Sequence, residues 1–255
     1  MRSLSLKKSL LIGAGSLTII VAVISLFPRP YIFLSEYEYL DKLAYDFSYG
    51  KDSGFHNYTK IYYKLFAPYR DRPIKLLEMG IFEGGSAKLW EVYLPKAELH
   101  FIDITDQYVK HRSERSKYHF FNASDTQKLE AMARKYGPFD IIIDDASHLV
   151  SEQIASFQTL FPHVKSGGVY VIEDLHTNYW VGNGGHGSRD DPKAGKGTAI
   201  EFLNSLVDDV NFYGATTLKC HTNNLNSSIV PRMSYYALHI DSIRFYSCLS
   251  VIEVK

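Results

Sequence analysis

From Ile74 to Leu175 the chain repeats one unit: an apolar run of strand length, a stretch with helical spacing, then another apolar run. Strands separated by helices at this interval cannot pair as hairpins, so the repeat predicts a parallel sheet with helices on both faces. The apolar runs are IKLLEMG (74–80), AELHFIDI (97–104), HFFNAS (119–124), FDIIIDD (139–145) and GGVYVIEDL (167–175). Between them lie SAKLWEVYL, stopped by Pro95, DTQKLEAMARKYG, with Asp125 as its cap and Gly137 beyond its end, and SEQIASFQTLFPHV. Further on, TAIEFLNSLVDDV reads as a helix, and apolar strands such as IRFYSCLSVIEV supply enough chain to close a mostly parallel seven-stranded sheet.

Around this core, 73–255, the chain divides into two leading segments. Residues 31–72 read as helix, loop, helix with a break around Tyr49 to Phe55. Residues 1–30 contain an uncharged run from Ser9 to Phe27, long enough at about 1.5 Å per residue to cross a hydrocarbon core of about 30 Å. It is expected to be an uncleaved transmembrane helix; a signal peptide is the rival, but the small-residue stretch Gly13 to Ser16 comes too early to follow a full apolar core. Arg2, Lys7 and Lys8 on its amino side outnumber Arg29, which favours a cytosolic amino terminus and a single-pass membrane protein, in the secretory pathway of a eukaryote or the inner membrane of a bacterium. With 28 Lys and Arg against 28 Asp and Glu the chain has no net charge, so no nucleic-acid partner is expected. A homo-oligomer stays open. Cys220 and Cys248 define neither a disulfide framework nor a zinc site.

Ligands of an open parallel sheet bind beyond the carboxyl ends of its strands, and there the chemistry-bearing residues fall. The first strand ends with Glu78, Gly80, Gly84, Gly85 and Ser86, where glycines admit a ligand to the backbone and a helix start offers free N–H groups. The second ends on Asp103, where a nucleoside-binding fold places its ribose acid. The glycine spacing at the first strand end is not GxGxxG, which disfavours a nicotinamide enzyme. The fourth strand ends in Asp144, Asp145 and, three residues on, His148; the fifth ends in Glu173, Asp174 and His176. Adjacent parallel strands would gather Asp145, Glu173 and Asp174, and three crowded carboxylates repel unless a cation neutralises them. Oxygen donors suit a hard divalent ion, magnesium first. His148 stands where it could take a proton from a group bound to that ion. The bland alternative is that these acids cap the following helices.

Taken together, YGKDSGFHNYTKIYYKLF, LLEMGIFEGGSAKLWEVYLPKAELHFIDI, GPFDIIIDDASH, GGVYVIEDLHTNYW and DSIRFYSCLSVIEVK resemble the class I S-adenosylmethionine-dependent methyltransferases of the macrolide sugar O-methyltransferase type, from Leu40 to the C-terminus. The resemblance implies a Rossmann-like class I methyltransferase fold, S-adenosylmethionine and Mg2+ as cofactors, and methyl transfer to a sugar hydroxyl of a glycan, glycolipid or glycosylated natural product. It implies Asp145, Glu173 and Asp174 as magnesium ligands and His148 as general base. It further implies Glu78, Gly80, Gly85 and Ser86 against the methionyl part of the cofactor, Asp103 on the ribose, Ser124 and Asp125 near the adenine, and Tyr49 in a segment folded over the cofactor. The family's usual DDGSH here carries Ala146, and its soluble members lack the apolar amino-terminal run. A non-catalytic glycan-binding module on the same fold is the rival reading, disfavoured because the three acids and His148 are all kept. An iron hydroxylase would want two histidines with one carboxylate, a set the sequence does not suggest. The loop Val181 to Gly197 is expected to act as a lid over the acceptor.

Overall fold

A computed structural model describes residues 34–48, 50–217 and 225–255. The apolar run at 9–27, Tyr49 and Cys220 lie outside the described residues, so the expected anchor, the expected cofactor contact of Tyr49 and any Cys220 pairing do too. Among the described residues no helix is long and apolar enough to cross a membrane.

The parallel strands are β1 (Lys75–Met79), β2 (Glu98–Asp103), β3 (Ser116–Phe120), β4 (Phe139–Asp144) and β5 (Val164–Ile172); β6 (Ile240–Tyr246) and β7 (Leu249–Val254) complete a seven-stranded sheet. Its order is β3-β2-β1-β4-β5-β7-β6, and β7 alone runs against its neighbours. The helices are α1 (Glu36–Phe47), α2 (Thr59–Phe66), α3 (Gly85–Tyr93), α4 (Thr126–Tyr136), α5 (Val150–Leu160), α6 (Ala199–Ser205), α7 (Val207–Thr217) and α8 (Tyr235–His239).

Alternate residues of each central strand feed two cores, as the period of a strand requires. Leu76, Leu99, Phe101, Ile141, Ile143, Val169 and Val171 meet α1, α2 and α3 on one face, where Tyr62 stacks on Phe66 and meets Trp90 edge-on. Leu77, Met79, Ile102, Ile142, Tyr170 and Ile172 meet α4, α5 and α6 on the other, around Leu129, Phe157 and Leu203. The helical segment before the core thus shares the core of the sheet.

Three boundaries differ from the sequence reading. The third strand spans Ser116–Phe120 in register with Leu99 to Asp103, and HFFNAS mostly forms the turn after it. The fifth strand begins earlier, at Val164. The helix expected over 198–210 is two, α6 and α7, separated at Leu206. In each case a neighbouring element, through pairing or packing, outweighs local apolar spacing.

The register brings the strand ends level. Met79 pairs with Asp144, and Asp144 with Ile172, so Gly80, Asp145 and Glu173 leave the sheet side by side. Asp145 N donates to Met79 O (2.9 Å) and Glu173 N to Asp144 O (2.9 Å), which fixes both acids by their backbones.

Candidate active site

Beyond the ends of β1, β2, β4 and β5 opens a cleft of about 650 Å³ lined by Lys51, Gly80, Gly85, Ser86, Asp103, Asp145, His148, Glu173 and Asp174. Gly80 has φ +86°, and a Cβ there would lie 1.9 Å from Asp145 O, so the β1 turn and the β4 end approach too closely for any side chain. Gly85 opens α3, where a Cβ would lie 2.1 Å from Phe47 O; the amino-terminal helical segment demands that glycine.

The acids divide into two groups. Glu78, Asp145 and Glu173 offer one set of converging oxygens; Asp145, Asp174 and the His148 ring offer another, each set within 4.8 Å. Glu173 and Asp174, expected side by side in one metal patch, fall in different groups: successive residues leaving a strand point to opposite sides, and Asp174 turns into the left-handed region at φ +56°. Asp145 is common to both.

The inner group is built around a residue the sequence reading missed. Lys51, only 4% exposed, places Nζ 2.5 Å from Glu173 Oε1, 2.7 Å from Asp145 Oδ2 and 3.5 Å from Glu78 Oε1. Burial alone would lower the pKa of its ammonium, but Asp145, Glu173 and Glu78 together hold it well above the ordinary lysine value. Burial, aided by Asp145, pushes Glu173 up to about 8, and burial pushes Glu78 up to about 7 against the opposing charge of Lys51. Tyr62, from α2, donates its phenol to Glu173, and Tyr58 donates to Asp174 Oδ1 at 2.5 Å. Tyr58 and Tyr62 are four residues apart around α2, so both hydroxyls face the strand ends. That spacing was the available sequence signal.

The outer group faces the cleft mouth. His148 has φ +56°, and its carbonyl accepts from Thr177 Oγ1 (3.1 Å) and Asn183 Nδ2 (3.3 Å). Its Nε2 lies 3.5 Å from Asp174 Oδ2 and 3.9 Å from Asp145 Oδ1, and its buried Nδ1 has no hydrogen-bond partner among the described residues. His56 Nε2 (3.9 Å) and His176 Nδ1 (4.0 Å) approach the other oxygen of Asp174; His176 was named from the sequence, and His56 was not. The loop Val181 to Gly197 carries local structure of its own: Val181–Asn183 form a helical turn, Trp180 bridges to Gly187, and Asn183 supports His148.

The other expected cofactor residues fare differently. Asp103 lines the cleft but spends Oδ2 on the N–H groups of Ile81 (2.9 Å) and Phe82 (3.0 Å), leaving Oδ1 with one long contact to Thr105 N (3.4 Å). Glu78 lies beneath the cleft, fully buried, accepting from Trp90 Nε1 (3.2 Å). Ser124 and Asp125 do not line the cleft or the adjoining cavity of about 310 Å³ beside Asp103; Phe121, Asn122 and Ala123 line the latter. The earlier end of β3 accounts for this, and Asp125 instead caps α4, accepting from Lys128 N (3.1 Å).

The acids fit a hard divalent ion by donor chemistry: all are oxygen donors, and Glu78 Oε1, 3.5 Å from Lys51 Nζ, is buried without a hydrogen bond among the described residues. No protein-family model matches the chain. Its fold is that of the class I S-adenosylmethionine-dependent methyltransferases. It is similar to MycE, solved with Mg and SAH, at 30% identity and a TM-score of 0.71 over 84% of this chain and 54% of that one. Within that class the chain is similar to O-methyltransferases of macrolide and polyketide sugars. It is 39% identical over 163 residues to mycinamicin VI 2''-O-methyltransferase of Micromonospora griseorubida, covering 61% of this chain and 40% of that protein. It is 35% identical over 180 residues to L-olivosyl-oleandolide 3-O-methyltransferase of Streptomyces antibioticus, covering 68% and 46%. The match therefore spans about half the length, or less, of each of these relatives.

Proposed function

We propose that the protein is a magnesium-assisted, S-adenosylmethionine-dependent O-methyltransferase acting on a sugar hydroxyl of a glycosylated acceptor. The observation that carries this reading is the placement of His148 against Asp145 and Asp174 at the mouth of the strand-end cleft. The relatives named above are O-methyltransferases of mycinamicin VI and of L-olivosyl-oleandolide, and one solved neighbour is a complex of MycE with Mg, SAH and mycinamycin VI.

Asp145, common to both groups, would hold the magnesium ion with Glu173 from the inner group and Asp174 from the outer one; the ion when bound makes an acceptor hydroxyl more acidic, and S-adenosylmethionine supplies the methyl group. The turn from Gly80 to Ser86 would receive the cofactor's amino-acid end at the start of α3, where Gly85 and Ser86 line the cleft. His148 would take the hydroxyl proton, and the carboxylates of Asp145 and Asp174 would stabilise the imidazolium that results. Asn183 and Thr177, by holding the His148 backbone, would keep the ring aimed, and the 181–197 loop would shield the acceptor from water. The run Ser9 to Phe27 would anchor this domain to a membrane, making a glycan or glycolipid the natural acceptor class.

Calorimetric titration of S-adenosylmethionine into wild type and His148→Ala, followed by methyl transfer to sugar acceptors, tests the reading. Both proteins should bind the cofactor with similar affinity, and the variant should lose about 10²–10⁴-fold in turnover. Turnover at the wild-type rate would remove His148 as base; a folded protein that fails to bind cofactor would remove the methyltransferase function.

A further inference from the structure

The cation at the centre of the inner acids belongs to the chain itself. A buried ammonium persists only where acids compensate its lost hydration, and Lys51 commits Asp145 Oδ2 and Glu173 Oε1 to that task. These are two of the three carboxylates assigned to the divalent ion in the reading above, on which this step rests. The ammonium takes the place between facing acids that a metal would otherwise fill. It is also delivered by a separate segment: Lys51 lies on the loop between α1 and α2, and its neighbours His56 and Tyr58 reach Asp174.

We infer that Lys51 is a tethered counter-cation that competes with the divalent ion, so that an ion takes Asp145 and Glu173 together only as the Lys51 ammonium withdraws. Metal loading and the docking of the 50–58 loop are then linked, each weakening the other, because a change in one equilibrium must appear in the other. The acids are kept compact without metal, and the affinity for metal is set by a side chain that never touches the ion.

The test is calorimetric titration of MgCl2 into the full chain, in wild type and in Lys51→Met, which keeps the length and removes the charge. The variant should bind Mg2+ at least tenfold more tightly, equivalent to about 1.4 kcal/mol. Its metal-free Tm should fall below wild type, and saturating Mg2+ should raise it by more than it raises wild type. Wild type that binds while a folded Lys51→Met binds no tighter overturns the competition and leaves the metal reading standing. Absence of Mg2+ binding in both folded proteins overturns the metal reading and this inference with it. Should the variant not fold, hydrogen exchange on wild type decides: faster exchange across 50–58 on adding Mg2+ supports withdrawal, and unchanged or slower exchange overturns it.

Discussion

Gly80 shows how one position serves both the fold and the site. Its φ of +86° and the 1.9 Å approach of Asp145 O mean that a methyl group cannot be accommodated without parting β1 from β4. Gly80→Ala should therefore cost at least about 2 kcal/mol in urea unfolding, more than the usual cost of alanine in a left-handed turn, because the obstacle is backbone. Stability within about 0.5 kcal/mol of wild type would mean that the turn relaxes. At this scale the sequence was informative about which residues matter and less so about how they are used. Gly80, Asp103, Asp145 and His148 were legible because each follows an apolar run, and each lines the cleft. Lys51 was not legible. Its partners lie 27, 94 and 122 positions away, and no local pattern marks a lysine whose acids arrive from three strands.

Among the elements, strand and helix order was readable from apolar periodicity, and boundaries were decided by neighbours. β3 is the clearest case: pairing with β2 moves it back to Ser116, and the residues after it turn towards α4. That displacement carries a consequence for Asp125. Its carboxylate accepts from Lys128 N and pairs with the Lys128 ammonium at 3.2 Å, which identifies a helix cap and places it away from the cleft. Asp125→Ala should lower the Tm by a few degrees while leaving S-adenosylmethionine affinity within twofold or so of wild type. A large loss of affinity with little change in Tm would return Asp125 to the adenine site. The Glu98, His100 and His119 chain on β2 and β3 is a comparable element-scale network: His100 Nδ1 lies 3.2 Å from His119 Nε2, and its Nε2 3.0 Å from Glu98 Oε1. Burial, with the nearby His100, lowers the His119 pKa to about 4.

Across the whole molecule, these buried groups predict how stability follows pH. Burial raises Glu78 and Asp144 to about 7 and Glu173 to about 8, all at the same end of the sheet. An acid whose folded pKa lies above its unfolded value contributes stability that is complete below the unfolded value and is lost as pH rises through the folded one. His119 works the other way: held neutral, it contributes above the unfolded histidine value and is lost as pH falls towards about 4. Without divalent ions the Tm should therefore peak at about pH 5–6 and decline towards pH 8. Asp144→Asn keeps an acceptor for the Tyr170 hydroxyl, 3.2 Å away, and removes one of the three acids. It should flatten the alkaline decline without altering the acid side, and equal slopes in both proteins would show that Asp144 ionises freely. Magnesium supplies the second discrimination, because a divalent cation favours the ionised form of the acids that bind it. Added Mg2+ should raise the Tm far more at pH 8 than at pH 5, since at the lower pH the ion must displace protons from the same oxygens. An equal rise at both values would place the bound ion on carboxylates exposed to solvent, away from the buried strand ends.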